Sequence, residues 1–119
     1  MKEKFYVTTA IDYVNSEPHI GHAYQKIVAD TLARWNRKKG KEVLFVTGTD
    51  EHGKKIEDAA KSLGIETKKF VDINSSKFKE AWKALNISYD RFIRTTDEDH
   101  KRIVSEIIIK CNESGDIYK

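Results

Sequence analysis

The most constraining feature of the sequence is a short apolar run, Val43 to Thr47, that lies between two helical patterns. Unbroken apolar runs of this length are typical of strands buried in a parallel sheet. A second strand is predicted for Phe5 to Thr9, which is rich in aromatic and β-branched residues. Between them, a helix is predicted from His19 or Ile20 to just before Gly40. Its apolar residues share one face: Ile27, Val28, Thr31, Leu32 and Trp35. Strand, helix and strand in this order predict a parallel sheet with a right-handed crossover.

Three more helices are predicted after the second strand. The first begins near Gly53 and ends at Gly64, and its apolar face is Ile56, Ala59, Ala60 and Leu63. The next covers Lys68 to Leu85, with Thr67 as its N-cap, and presents Phe70, Asn74, Phe78, Trp82 and Leu85. Thr96 and Asp99 predict a capping box for the last helix, whose apolar face is Ile103, Val104, Ile107, Ile108 and Cys111. Residues 91–94 fit either a strand or a loop. We expect four aromatic residues to pack in the core: Trp35, Phe70, Phe78 and Trp82.

The composition suits one compact domain, or part of one, with a heavily solvated surface, since 39% of the 119 residues are apolar and 34% are charged. No apolar run reaches the roughly 18 residues that cross a bilayer, and the N-terminus has a strand pattern rather than that of a signal peptide. The single cysteine, Cys111, cannot form an intrachain disulfide, so we expect a cytoplasmic setting. The net charge of +3 does not identify a partner.

The loop after the first predicted strand leads into Pro18-His19-Ile20-Gly21-His22. Ligands of parallel sheets bind outside the carboxyl ends of the strands, which makes this loop a candidate site. His19 and His22 share a face at a helix start, where unpaired N–H groups and a partial positive charge suit phosphate. Gly21 leaves room for a ligand near the backbone. The motif therefore predicts a nucleotide phosphate site, and an incidental or structural pair is the alternative. Zinc is disfavoured because no carboxylate accompanies the histidines.

The second predicted strand leads into Gly48-Thr49-Asp50-Glu51-His52-Gly53, and we expect it to end at Gly48 to Asp50. The two carboxylates and the histidine of this loop could bind a metal or supply acid–base catalysis, and two further readings of Asp50 remain open. It fits the N-cap of the helix that begins near Gly53. Alternatively, its carboxylate could hold the ammonium group of a ligand by a charge-assisted hydrogen bond. We expect His52 to hold the loop in place rather than to act in catalysis.

P-H-I-G-H resembles the signature of class I aminoacyl-tRNA synthetases and related nucleotidylyltransferases, and T-G-T-D-E-H-G resembles the matching loop of the methionyl-tRNA synthetase family. Other segments resemble that family in the same order: Ala29-Asp30, Arg34-Trp35, residues 92–96, His100 and residues 115–118. The resemblance implies an α/β fold, the first half of a Rossmann-like (HUP-type) parallel sheet flanked by helices. It also implies that residues 1–119 are the N-terminal part of the catalytic domain, ending about where an inserted connective domain begins.

The same resemblance implies roles for individual residues. His19 and His22 act in catalysis. The residues expected at ATP are His19, Gly21 and His22, with the histidines at the phosphates and the glycine under the adenine. The residues expected at methionine are Ala10, Ile11, Tyr13 and Asp50, with the aspartate on the amino group and the tyrosine at the side chain. Mg²⁺ is expected to arrive with ATP, and no protein-bound metal is expected. Asp12 departs from the family, where we expect an aromatic residue or proline, and leaves the pocket lining open.

The activity implied by the resemblance is ATP-dependent activation of methionine to methionyl-adenylate and transfer of the methionyl group to tRNA(Met). The sequence contains no K-M-S-K-S-like loop, so the implied partners include the remainder of a synthetase: the inserted domain, the K-M-S-K-S half and the anticodon-binding domain. We expect the fragment alone to be inactive. Two alternatives remain: another class I synthetase or nucleotidylyltransferase, and an inactive truncated fold that binds nucleotide, RNA or a complementary polypeptide.

Overall fold

One long strand, β3 (Glu42–Asp50), is the centre of the sheet in the computed structural model, which describes residues 2–118. The other strands are β1 (Lys4–Thr8), β2 (Asp12–Tyr13) and β4 (Arg91–Arg94). The helices are α1 (Ile20–Lys38), α2 (Lys54–Ser62), α3 (Thr67–Ala84) and α4 (Glu98–Glu113). The ambiguous segment 91–94 is thus a strand, and the loop predicted after the first strand contains β2.

Every strand in the described part of the chain runs parallel to β3. Phe5 of β1 lies opposite Val43, and Asp12 of β2 lies opposite Thr49 further along the same edge. On the other edge of β3, Phe92 of β4 lies opposite Thr47. Because all four strands run in one direction, their carboxyl ends meet at one edge of the sheet. The predicted α/β class and parallel sheet are confirmed.

The central strand continues past the predicted apolar run to Asp50, at the far end of the segment where it was expected to stop. Pairing decides this, because β2 and β4 both supply partners for Thr49. Gly48 also lets β4 approach closely, since a Cβ at this position would lie 2.0 Å from the carbonyl oxygen of Ile93. Glycine in a strand often marks such a close approach of another backbone.

The core draws its buried side chains from α1, β3, α2 and α3. Phe45 of β3, Ile56 of α2 and Phe78 of α3 are each fully buried. Phe78 and Trp82 pack edge to face, with ring centroids 5.8 Å apart. Phe70 is also buried, so three of the four aromatic residues expected in the core are confirmed.

The fourth, Trp35, is 57% exposed, and the predicted core face of α1 is wrong. The apolar residues of that face lie at the surface: Ile27, Val28, Thr31, Leu32 and Trp35. The buried residues of α1 are instead small or polar: Lys26, Ala29, Asp30, Ala33 and Asn36. The polar ones are buried at low cost because they have partners, as when Asp30 accepts hydrogen bonds from the amide and hydroxyl of Ser88. Apolar periodicity could not reveal such pairing.

The apolar face predicted for α4 is also exposed, because no residue of α4 is buried within the described chain. Ile107 and Ile108 are each more than half exposed, and Cys111 is only half-buried. The exposed Leu63 and Leu85 likewise lie outside the core to which their helical faces were assigned. No helix within residues 2–118 combines the length and apolarity needed to span a membrane.

Two predicted helix caps are wrong. The N-cap of α3 is Glu66 rather than Thr67, and its carboxylate accepts hydrogen bonds from the amides of Lys68 and Lys69. The N-cap of α4 is Asp97, which makes no side-chain capping bond. Thr96, expected in that cap, donates its hydroxyl hydrogen to Glu51 instead. A cap competes with tertiary hydrogen bonds for the same side chain, and here the tertiary partner prevails.

Candidate functional site

The two sequence motifs meet at the carboxyl edge of the sheet. The P-H-I-G-H motif begins α1, and the T-D-E-H-G motif leaves the end of β3. Strand β2 links them, because Tyr13 lies opposite Asp50 in the sheet and the negative charge of the preceding Asp12 acts on His22. The predicted residues Tyr13 and Asp50 are therefore neighbours in the sheet, and the histidines follow the same loop at the start of α1.

His19 and His22 cap α1 reciprocally. Nδ1 of His19 accepts a hydrogen bond from the amide of Gly21 at 3.1 Å, and Nδ1 of His22 accepts one from the amide of His19 at 3.2 Å. The two rings stack with their centroids 3.8 Å apart. A neutral imidazole that accepts at Nδ1 carries its proton on Nε2. Each histidine can therefore donate an Nε2 hydrogen bond to a ligand at the N-terminus of α1.

The histidine motif packs against helix α3. His22 is half-buried against Phe78, with ring centroids 5.3 Å apart. Burial lowers the pKa of His22; the negative charge of Asp12 opposes this, whereas the charges of His19 and Lys26 add to it. A Cβ at Gly21 would lie 2.9 Å from Cε1 of His19. A side chain at this position would therefore displace the His19 ring, which explains why the motif has glycine here.

The capping role considered for Asp50 is wrong. The N-cap of α2 is Gly53, and α2 has no side-chain capping bond. Asp50 is half-buried at the end of β3, and its carboxylate forms none of the ion pairs found among residues 2–118. It therefore remains available to a ligand's ammonium group.

Tyr13 is hydrogen-bonded to the loop that follows Asp50. Its hydroxyl donates to the carbonyl oxygen of His52 at 2.8 Å. Gly53 adopts φ +120°, and a Cβ there would lie 2.2 Å from the tyrosine oxygen. The ring can cross the loop only because residue 53 has no side chain. Nearby, Ala10 and Ile11 are both exposed at the same edge.

Glu51 is the buried anchor of the T-D-E-H-G loop, and sequence reasoning missed this role. Nε and Nη2 of Arg94 donate to its two carboxylate oxygens at 2.6 and 2.8 Å, and Thr49 donates at 2.7 Å. Burial by itself would raise the pKa of Glu51, but the hydrogen bonds from Arg94, Thr96 and Thr49 outweigh it and hold the pKa below its usual range. Arg94 also pairs with Asp72 of α3.

Residue 95 fixes the rest of this loop. The Thr95 hydroxyl accepts a hydrogen bond from the amide of Glu51 at 2.8 Å, and Nε2 of His52 lies 3.2 Å from the Thr95 carbonyl oxygen. These contacts attach Glu51 and His52, the two residues after Asp50, to the residue that follows β4. The sequence signal for them was weak, because β4 could not be distinguished from a loop.

Asp12 faces the interior rather than the pocket. Its Oδ1 lies 2.5 Å from Nζ of Lys26, and both side chains are almost completely buried. Burial raises the pKa of Asp12, and the Lys26 ammonium opposes that rise. Sequence reasoning did not single out Lys26; the one available signal was its position one turn after His22 in α1.

A large groove lies elsewhere. It has a volume of about 890 Å³ and runs along the exposed face of α1, between Trp35 and Tyr89. Three cationic side chains line it: Arg34 pairs with Asp30, Arg37 pairs with Asp90, and Lys38 is the third. Residues 2–118 contain no cluster of three or more histidine, cysteine or carboxylate side chains that could hold a metal ion.

The parallel sheet and the paired histidines at the start of α1 define the nucleotide-binding fold of class I aminoacyl-tRNA synthetases. A family model described as tRNA synthetases class I (M) matches residues 5–119, and the chain belongs to this family, the methionyl-tRNA synthetases. The predicted family and the Rossmann-like fold are confirmed.

Individual relatives and a solved structure support this family assignment. The chain is 55% identical over 98% of its length to a methionine–tRNA ligase of Thermotoga maritima, and 50% identical over its whole length to one of Caldanaerobacter subterraneus subsp. tengcongensis. It spans 18% and 19% of those proteins. A solved structure of Mycobacterium tuberculosis methionyl-tRNA synthetase in complex with methionyl-adenylate matches 98% of the chain with a TM-score of 0.96 and 48% identity, and the match covers 23% of that structure.

Proposed function

We propose that this chain is the half-site of a methionine–tRNA ligase that binds methionine and the phosphates of ATP. In the proposed reaction, the methionine carboxylate attacks the α-phosphate, pyrophosphate leaves, and methionyl-adenylate forms. The methionyl group then passes to tRNA(Met). The observation that carries the proposal is the close structural match to a synthetase solved with methionyl-adenylate.

The described geometry supports the proposed residue roles. His19 and His22 can donate from Nε2 to phosphate oxygens at the N-terminus of α1, where the helix dipole also favours negative charge. Because burial lowers the pKa of His22, this residue favours its neutral form, in which Nε2 is still a donor. Stabilising developing phosphoryl charge with preorganised donors is an effective form of catalysis. Gly21 is proposed to pack under the adenine.

Methionine is proposed to bind between β2 and the end of β3. The carboxylate of Asp50 would hold its amino group, and the backbone of Ala10 and Ile11 would make polar contacts beside it. Tyr13 would form an aromatic wall for the thioether, a contact favourable by roughly 0.3–1.5 kcal/mol. This wall is held rigidly by the hydrogen bond from Tyr13 to His52.

Other parts of a synthetase complete the proposed reaction. They are an inserted domain that begins about where residue 119 lies, a K-M-S-K-S half and an anticodon-binding domain. Mg²⁺ is proposed to enter with ATP, and the cytoplasm is the proposed location. The exposed apolar residues of α1 and α4 also support contact with a further polypeptide segment, because residues such as Trp35 and Ile107 are more than half exposed. We expect the chain alone to bind substrates without completing the reaction.

The proposal can be tested by titrating the ¹⁵N-labelled chain with ATP, methionine and leucine and following the amide signals. We expect ATP to shift the signals of residues 19–22 and methionine to shift those of residues 10–13 and 50. Asp50→Ala should abolish the methionine shifts, whereas Asp58→Ala, an exposed carboxylate of α2, should leave them unchanged. Equal shifts with leucine would refute the methionine assignment, and no response to any ligand would refute the half-site.

A further inference from the structure

A buried lysine joins α1 to the backbone that flanks Ile11. Nζ of Lys26 donates to the carbonyl oxygen of Ala10 at 3.2 Å and to Oδ1 of Asp12 at 2.5 Å. One ammonium group thus holds the residues on both sides of Ile11. Lys26 also lies one helical turn after His22, so this contact ties the loop to the helix that carries the histidines.

The ion pair of Lys26 and Asp12 is not arranged in a way that favours stability alone. The side chains of Lys26 and Asp12 are 0% and 3% exposed, so both charged groups have lost their water. Within residues 2–118, the second carboxylate oxygen of Asp12 is buried without a hydrogen-bond partner. Buried ion pairs often gain no net stability over apolar residues, especially when lone pairs remain unsatisfied. A role in fixing geometry explains the arrangement better.

The loop has other contacts as well: the Thr9 hydroxyl donates to the carbonyl oxygen of Ala10 at 2.8 Å, and Asp12 pairs with Thr49 in the sheet. The side-chain amide of Asn74 donates to the carbonyl oxygen of Val14 at 2.8 Å, and Tyr13 donates to His52. The side chain of Lys26 reaches Ala10 from helix α1 and so connects the loop to a different element. The ring of Trp82, whose centroid lies 5.4 Å from Nζ, packs beside the ammonium group and limits its movement.

We propose that Lys26, through Ala10 and Asp12, is a positioning residue that holds Ile11 at a fixed place relative to the N-terminus of α1. The proposal rests on the proposed function, in which Ile11 contacts methionine and α1 contacts ATP. The pair then sets the spacing between the two substrates, which must be held in a reactive geometry for the carboxylate to reach the α-phosphate. Lys26 itself does not touch either substrate.

The test compares two double variants of the ¹⁵N-labelled chain. Lys26→Met with Asp12→Asn removes the buried charges together and leaves neither one unpaired. Arg102→Met with Glu106→Gln removes an exposed pair of α4 and is the matched control. We expect the first variant to stay folded while the backbone order parameters of Ala10 and Ile11, which precede β2, fall from about 0.85 to below about 0.6. Those of residues 43–47 should not change in either variant.

Ligand titration separates the positioning role from a general loss of structure. If the competent loop conformation falls to about a tenth of the population, methionine affinity falls roughly tenfold. ATP affinity should stay within about twofold, because the capping bonds between His19 and His22 do not involve Lys26. The pKa of His22 provides a third measurement. Its charged neighbours are Asp12, His19 and Lys26, and Asp12→Asn alone should lower the pKa of His22 further.

Unchanged order in Ala10 and Ile11 of the folded double variant would overturn the proposal. So would a double variant that no longer folds, since the pair would then support the whole structure rather than the loop. If the wild-type chain binds neither methionine nor ATP, the proposed function fails for this chain. The comparison of loop order in the ligand-free variants would still decide whether Lys26 positions Ile11.

Discussion

Replacing Arg94 by methionine should destabilise the chain far more than a surface substitution would. Arg94 donates two hydrogen bonds to Glu51, whose side chain is fully buried, and its own side chain is only 19% exposed. Methionine occupies a similar volume without a charge. The substitution therefore leaves a buried carboxylate with only the hydroxyl groups of Thr49 and Thr96 as side-chain donors.

The expected loss follows from the cost of an unpaired buried charge. Removing one partner of such a pair costs about 3–5 kcal/mol. Unfolding entropy is about 2.1 cal/mol/K per residue, or about 0.25 kcal/mol/K for this chain, so the Tm should fall by about 12–20 °C. Arg91→Met is a matched control on the same strand, because Arg91 pairs with Asp99 and both side chains are nearly half exposed. An exposed pair contributes at most about 1 kcal/mol, which corresponds to about 4 °C.

Thermal unfolding followed by circular dichroism would measure both variants under the same conditions. Adding Glu51→Gln to Arg94→Met should recover part of the lost Tm, because the remaining group is then neutral. If Arg94→Met and Arg91→Met lower the Tm by the same few degrees, the argument that Glu51 depends on Arg94 is wrong. Loss of methionine-induced amide shifts in a folded Arg94→Met chain would show in addition that this pair holds Asp50 in place.

Three further predictions concern the loop, the core and acid stability. Gly53→Ala should abolish the hydrogen bond from Tyr13 to His52, because the new Cβ would clash with the tyrosine oxygen and residue 53 has a positive φ. The free energy of unfolding should fall by about 1–3 kcal/mol, and urea unfolding would measure this loss. Trp82→Ala should lower the free energy of unfolding by about 3–5 kcal/mol because Trp82 is 1% exposed, whereas Trp35→Ala should lower it by less than about 1 kcal/mol. Similar losses for the two variants in denaturant unfolding would contradict the assigned core. The pKa of Glu51 is held below its ordinary value of 4.5, so its contribution to stability is present above pH 4.5 and is lost as the pH falls through the folded-state pKa. Unfolding free energies measured from pH 6 to pH 3 should fall more steeply for the wild type than for Glu51→Gln, and parallel curves would exclude this linkage.

The sequence by itself determined the class of fold and the location of the site. The strands and helices follow from local periodicity and from turn residues, and the order strand–helix–strand allows few topologies other than a parallel sheet. The carboxyl edge then follows as the place for ligands, so the sequence alone assigns both motifs to one candidate site. His19 at the N-cap and Phe78 in the core were accessible in the same way, since both depend on local patterns.

Tertiary structure alone decided which polar residues are buried and which apolar residues are not. Lys26 and Asp12 are 14 positions apart, and Glu51 and Arg94 are 43 apart, so no local pattern could reveal that each buried charge has a partner. Burial of a charge depends on that partner, because an unpaired ion would be too costly in the interior. The exposed Trp35 shows the opposite case. Apolar spacing defines a face of a helix, but only the packing of α1 on the sheet through Ala29 and Ala33 decides which face is covered.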